Sequence, residues 1–421
     1  MVNHYPKDWR IVLLSELSIE GFQNGLFYEV ARKNKGIPII NVGDLYKSSP
    51  IANDKLELFN ATAEEIKRYQ VFNGDLFFTR SSIVPSGIAF CNWYRCSEKK
   101  AVVFDSHVVR FKTNTDVVNP MYLYLACIRP DARKYFLANA KTATMTTIDQ
   151  TVLGRCPIPY PALKEQTAIA EAVSDADSLI SSLQKLIEKK KAIKQGALQE
   201  LLTGKKRLPG FNEEWEELNF AESAKLKARI GWQGLTTSEY LQSGYAYLIT
   251  GTDFHNGRIK WETCHFVDEK RYKQDLNIQI KKHDILLTKD GTIGKVAYIS
   301  SVQKPTTLNS GVFVIRPAKE DSFDPNFVYH ILNSFLFDNF LAKLSAGSTI
   351  NHLYQKDFVD FTFKAPSELV EQQAIAQVLS DMDSEIDQLE KKLAKYQQIK
   401  QGMMQELLTG RIRLKEGENN A

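Results

Sequence analysis

A chain of 421 residues, 43% hydrophobic and 25% charged, has the balance of a folded globular protein with room for roughly two to four domains. No apolar run approaches the ~18 residues of a membrane span, and Met1-Val-Asn-His-Tyr-Pro-Lys-Asp-Trp9 lacks the basic-then-apolar pattern of a secretory leader. Five cysteines, an odd number with Cys91, Cys96, Cys127 and Cys156 in the first half and Cys264 in the second, argue against a disulfide framework and for a reducing, cytoplasmic setting. A net charge of +4 permits nucleic-acid binding without demanding it.

Residues 1–161 read as a first domain. Short β-rich runs at Ile37–Val42, Asp75–Thr79, Gly87–Phe90 and Ala101–Phe111 alternate with turn signals such as Asn73-Gly74. One helix is expected after Asn119-Pro120, because proline at the first helical position is a common entry. The domain closes in Pro157-Ile-Pro-Tyr-Pro161, a stiff extended connector.

From 162 to 208 the pattern changes to heptads. Ile169, Val173, Ile180, Leu183, Ile187 and Leu201 fall on an a/d seam, with Lys190 and Lys194 interrupting it. A helix of about 40 residues is ~60 Å long. It needs a partner along its length, since one apolar stripe cannot be left in water. Thr203-Gly204 is the expected stop.

Residues 209–366 read as a second copy of the first domain, and 367–414 as a second copy of the helix; the polar stretch 415–421 is an expected disordered tail. The copies are 206 residues apart: Lys194–Gly204 returns as Lys400–Gly410, Glu165-Gln166 as Glu371-Gln372, Ile169-Ala170 as Ile375-Ala376, and Trp9 as Trp215. Such a self-match denotes an internal duplication. The second seam is Ile375, Leu379, Met382, Ile386, Leu389, Leu393, Tyr396, Met403 and Leu407, broken only by Lys400. Each long helix is the natural partner of the other, running antiparallel with a pseudo-twofold relation between the halves. Gly196 and Gly402, inside the helices, predict a close backbone approach or a break. In the globular copies Asp75–Arg80 is answered by Asp284–Lys289, and Asn119-Pro120 by Asp324-Pro325. The intervals differ: Lys47–Asn60 against Asn256–Glu269, and Ser81–Ser86 against Asp290–Ile293. The sequence therefore predicts one fold with two different surfaces.

The order domain, helix, domain, helix resembles the specificity (S) subunit of type I restriction-modification enzymes. The resemblance spans essentially the whole chain and rests on the paired Glu-Gln-x-x-Ile-Ala and Gln-Glu-Leu-Leu-Thr-Gly segments, and on the paired strand entries ending in Thr-Arg and Thr-Lys. It implies an α+β fold: two homologous mixed α/β target recognition domains separated by two long helices in an antiparallel coiled coil, with a circular, pseudo-twofold arrangement. It also implies double-stranded DNA with a two-part target as ligand, and two methyltransferase (modification) subunits as partners, with restriction subunits held through them. S-adenosylmethionine, ATP and Mg are then expected on those partners, and no cofactor in this chain.

Independently, two related readers with different surfaces suit an asymmetric split DNA site, with half-sites about one helical turn (34–36 Å) apart. Base edges are read by cationic, amide and hydroxyl side chains. The candidates are Thr79, Arg80, Ser81, Ser82, Lys141, Thr142, Thr144, Thr146 and Thr147 in the first domain. In the second they are Lys289, Asp290, Thr292, Ser345, Ser348, Thr349 and Asn351. Turn and cap roles compete for every hydroxyl. The basic run Lys185, Lys189, Lys190, Lys191, Lys194, Lys205, Lys206, Arg207 reads mostly as the solvated face of a helix, with phosphate or an acidic partner as the other reading.

Catalytic motifs fail on inspection. Asn119-Pro-Met-Tyr122 departs from the Asn-Pro-Pro-Tyr of amino-methyltransferases, and Asp290-Gly-Thr-Ile-Gly-Lys295 lacks the spacing that cradles phosphates. Cys91 and Cys96 have no second ligand pair at zinc spacing. The expectation is a non-catalytic specificity subunit. An interaction scaffold with a coiled-coil spacer, or a specificity module serving a type II methyltransferase-nuclease, remain as alternatives.

Overall fold

Apolar residues at heptad spacing, with no interior proline, carry one continuous helix from Leu163 to Leu201 and a second from Leu369 to Leu407, 39 residues each. The computed structural model describes residues 5–47, 50–53, 56–96, 100–231, 234–345 and 352–414; the tail expected at 415–421 lies outside them. Contacts divide the chain into one unit of Met1–Gln184 with Lys392–Ala421 and another of Lys185–Lys391. Each unit thus owns a globular domain, half of one long helix and half of the other.

The two units repeat the same sheets. In the first, a four-stranded antiparallel sheet runs Ser18–Asn24, Val108–Thr113, Leu76–Thr79, Cys91–Trp93. In the second, the order is Ala224–Lys227, Val312–Pro317, Ile285–Thr288, Val296–Tyr298. A three-stranded sheet with one parallel pairing follows in each: Glu57–Phe59, Lys33–Ile40, Val103–Phe104, and His265–Val267, Ala246–Ile249, Thr306–Leu308. Gly87–Phe90 is not a strand; it lies in and after a short 3-10 turn, and the strand begins at Cys91. Two helices, not one, follow Asn119: Pro120–Cys127 and Pro130–Asn139, matched by Pro325–Leu332 and Phe335–Leu344.

The central strands are buried on both faces. Leu76 and Phe78 enter one core and Phe77 another; likewise Ile285 and Leu287 point one way and Leu286 the other. A strand covered on both sides reads as a continuous apolar run rather than an alternation. At its start Asp75 caps a turn by accepting from Phe72 N–H at 2.9 Å, and Asp284 does so from Lys281 N–H at 2.7 Å. Arg110 and Arg316 on the neighbouring strand approach these carboxylates at 3.8 Å and 2.6 Å. Burial pushes the Asp75 carboxyl up to about 6, against the opposing pull of that backbone N–H and of Arg110.

The duplicated motifs are the lock that joins helix to domain. Gln166 accepts from Asn119 N–H at 2.9 Å and donates to Pro161 O at 2.9 Å. Gln372 does the same with Asp324 N–H at 2.8 Å and Pro366 O at 2.9 Å. Beside them, Trp9 Nε1 donates to Glu165 at 3.1 Å and Trp215 Nε1 to Glu371 at 3.3 Å. The same carboxylates are gripped by forked arginines: Arg413 on Glu165 at 2.7 and 2.6 Å, and Arg207 on Glu371 at 2.6 and 2.7 Å. Paired N–H···O bonds of this kind fix geometry as well as charge. Arg207 is therefore not on a solvated face.

The arginines reach the carboxylates because the helices stop at Thr-Gly. Gly204 and Gly410 take φ of +69° and +68°, which glycine adopts without steric cost. A Cβ on Gly204 would stand 3.3 Å from the Trp215 ring, and one on Gly410 2.5 Å from Pro6.

Within each unit the helix segments pair antiparallel. In the second, Lys190 meets Glu385 at 2.6 Å, Lys191 meets Glu390 at 2.6 Å, and Lys194 meets Asp383. In the first, Lys400 meets Asp177 at 2.5 Å. The lysines that break the heptad are thus neutralised across the pair, each partly exposed contact contributing about 0.2–1 kcal/mol. Of the seam, Leu183, Ile187 and Ile386 are buried, while Ile180, Met382, Leu389, Leu393, Tyr396 and Met403 are half-buried. Ile169, Val173 and Leu407 instead join the core of the first domain, and Leu201, Ile375 and Leu379 that of the second. Leu198, Leu202 and Leu408, outside the a/d pattern, join them.

The helices run unbroken through Gly196 and Gly402, and a Cβ at either would meet nothing within 4 Å, so the expected break or close approach is absent. Both positions only forgo helix propensity. Gly196→Ala and Gly402→Ala should each raise stability by about 0.5–1 kcal/mol, read as a higher urea midpoint at unchanged slope. A second test concerns His330, which stands where the first unit has Leu125 and is 1% exposed with Nε2 3.1 Å from Ser380 Oγ. Burial, aided by the nearby Lys194 charge, holds its pKa down at about 3. Its stabilising contribution is present above the unfolded value of ~6.5 and is lost as pH falls toward 3, with a slope approaching ~1.4 kcal/mol per pH unit. The difference in unfolding free energy between the wild type and His330→Leu, measured by unfolding titrations between these limits, should fall with that slope as pH is lowered.

Candidate nucleic-acid interface

The buried strand Leu76–Thr79 surfaces at Arg80, and Ile285–Thr288 at Lys289. In both units the emerging cation is held through its backbone. Arg80 N–H donates to His107 O at 2.9 Å and its carbonyl accepts from Ile148 N–H at 3.1 Å. Lys289 N–H donates to Gly311 O at 2.9 Å and its carbonyl accepts from Leu353 N–H at 2.9 Å.

From that point the units diverge. In the first, Ser81–Ser82 pairs with Thr146–Thr147, which pairs with Lys141–Thr142, so residues 60 positions apart in sequence share one small sheet. The sheet walls a hollow of about 710 Å³ lined by Arg80, Ser81, Lys141 and Thr147 together with Asn24, His107, Asn139 and Gln150. Ser81 Oγ lies 2.7 Å from His107 Nδ1, and Gln150 Nε2 donates to Asn24 at 3.1 Å. Arg80 is exposed and donates to Ser106 O at 3.3 Å. The Lys141 side chain is 85% exposed; Thr142, Thr144 and Thr147 are exposed, and Ser82 is half-buried. This convergence of cations, hydroxyls, amides and an imidazole, with the Asp149 carboxylate 4.0 Å from Lys141 Nζ, matches the donor and acceptor set used on base edges and phosphates.

Two first-domain candidates do not reach that surface. Thr79 is fully buried as the last residue of the central strand, its hydroxyl donating to Tyr46 OH at 3.3 Å. Thr146 is 3% exposed and turns its hydroxyl to Thr142 at 3.2 Å. Both are structural. Asn24, His107, Asn139 and Gln150 are brought in by the fold. His107 could have been found from the turn Asp105-Ser-His107 that feeds the strand beside Leu76–Thr79: Asp105 accepts its N–H at 2.6 Å.

In the second unit, Lys289 is half-buried with Nζ 5.2 Å from the centre of the Phe313 ring. Asp290 pairs with His352, by a backbone bridge and by side chains. Thr292 is exposed and lends its carbonyl to Thr288 Oγ1 at 2.6 Å. Ser345 caps the end of Phe335–Leu344, its hydroxyl donating to Leu341 O at 2.6 Å. Ser348, Thr349 and Asn351 lie outside the described residues.

Comparison with known proteins gives the same duplication. The family model for the type I restriction modification DNA specificity domain matches residues 6–195 and again 212–401. The chain is 25% identical over 332 residues to the MjaVIII specificity subunit of Methanocaldococcus jannaschii, covering 75% of this chain and 76% of that one. It is 22% identical over 423 residues to the EcoBI specificity subunit of Escherichia coli, covering 94% and 85%. Its fold is similar to the crystal structure of the S subunit of a type I restriction-modification system from M. genitalium, with a TM-score of 0.61, 16% identity and 96% of each chain covered. A chain from a type I R-M system assembly study matches with a TM-score of 0.53, 13% identity and coverage of 97% and 100%. With two matches that together span most of its length, this chain belongs to the type I restriction-modification DNA specificity family.

Proposed function

We propose that this chain is the DNA sequence-recognition subunit of a type I restriction-modification enzyme, in which each unit reads one part of an asymmetric two-part target. The observation that carries this is a single framework present twice with a different surface at one place. The backbone bonds around Arg80 and Lys289 are the same, while the paired Ser81 and Thr147 of the first unit are replaced by the paired Asp290 and His352 of the second, and His107 by Gly311. Two readers of identical chemistry would call for a symmetric target; these differ.

The chain is proposed to be non-catalytic and cytoplasmic. The methyl transfer to adenine and the ATP-driven cleavage belong to partners: two methyltransferase subunits, with restriction subunits through them. S-adenosylmethionine, ATP and Mg are bound there. Arg80, Ser81, Lys141 and Thr147, with His107, are the residues of the first unit assigned to DNA.

Single-molecule sequencing of host DNA for methylated adenine, with and without the gene, should reveal a two-part motif that disappears on deletion. An unchanged methylation pattern would refute the reading. At the level of one side chain, Lys141→Ala should weaken binding of the assembled methyltransferase about equally on all sequences and lower the slope of log affinity against log salt by about 1.

A further inference from the structure

The loop that follows Arg80 carries the most exposed large apolar side chain among the described residues. Ile83 is 83% exposed and Val84 beside it 62%. The loop is nevertheless tightly held. Ser82 Oγ donates to Val84 O at 2.7 Å and Tyr46 OH to Gly87 O at 2.8 Å. Arg133 reaches across from Pro130–Asn139 to donate to Ala89 O at 2.6 Å and Ser86 O at 2.9 Å. A Cβ on Gly87 would stand 2.7 Å from both Ser82 Oγ and the Tyr46 hydroxyl. Ala89 is kept at φ +49°, a region a non-glycine residue enters only under constraint. So many restraints fix the tip in water rather than let it fold back.

What surrounds the tip indicates its ligand. Ile83 and Val84 border a mostly apolar hollow of about 640 Å³, with Met145 and the Tyr46–Phe90 ring pair, whose centroids are 4.7 Å apart, on its other sides. Ser81, His107 and Met145 also line the polar hollow that holds Arg80 and Lys141. An apolar tip continuous with cations and hydroxyls matches a DNA major groove, where the C5-methyl of thymine is the apolar group displayed among hydrogen-bonding edges. The corresponding loop of the second unit, Asp290-Gly-Thr-Ile-Gly294, carries no such tip: Ile293 is half-buried.

We propose that Ile83, flanked by Val84 and Met145, is a specificity-determining residue that reads a thymine methyl in the part of the target contacted by the first unit. This rests on the DNA-recognition reading above. The test uses the assembled methyltransferase and duplexes bearing its methylation motif, with each thymine replaced in turn by deoxyuridine, which removes the methyl alone. One position should lose about fourfold in affinity, the worth of one buried methyl. Ile83→Ser should lose a similar factor on the thymine duplex and no longer distinguish uracil there. Specific binding that is indifferent to uracil at every position overturns this inference alone. Equal binding to motif and random duplex overturns the DNA-recognition reading with it. Uracil indifference combined with failure of Ile83→Ser to assemble with the modification subunits assigns the tip to a protein contact, and also overturns it.

Discussion

A carboxylate at the head of each long helix is held by an arginine from the tail of the other, and the rest of the chain depends on that contact. Glu371 has a side chain only 2% exposed. A charge so buried must be matched in full, because an unpaired carboxylate in such a place costs several kcal/mol. Arg207 supplies two parallel hydrogen bonds and Trp215 a third. The Glu165 site is built the same way from Arg413 and Trp9. Each lock needs the left-handed glycine just before it to turn the chain back, and that glycine needs to be small because the indole lies against it. Trp, Glu, Gly and Arg, scattered over the sequence, are one device written twice.

Much of the architecture was legible because the device recurs at a fixed interval. Duplication lets one sequence be filtered by comparison with itself. Positions that return after 206 residues are dominated by those the framework needs, such as Gln166 and Gln372, each holding a helix entry and a strand end at once. The helix pairing followed from the heptads, and their lysines found acidic partners. Repetition misled at Gly196 and Gly402, where a repeated glycine has open space around it and the helix simply continues. A residue can recur without being required by packing.

The candidate interface was harder to read, and the reason is topological. Thr79 sits next to Arg80 in sequence, yet one belongs to the core and the other to solvent, since the strand is buried on both faces up to its last residue. In the hydroxyl-rich stretch Lys141–Thr147 every residue is exposed except Thr146, which faces in where the strands pair while its neighbour Thr147 faces out. His107, Asn24 and Gln150 come from three other segments, and no local pattern links them.

The way the surfaces are attached explains how one framework supports two of them. The chain on either side of Arg80 and of Lys289 is fixed by main-chain N–H and C=O groups, and these bonds do not depend on side-chain identity. Folding therefore places few demands on what the following residues carry. In one unit the freedom yields a serine–histidine contact, an arginine and a rigid isoleucine tip; in the other it yields an aspartate–histidine pair and a lysine lying over Phe313. Energy for folding comes from the double-sided cores, the carboxylate locks fix how the helices join them, and chemistry is displayed on loops those elements merely anchor. A reader built this way can change its target by exchanging loop side chains while its cores and helix locks stay as they are.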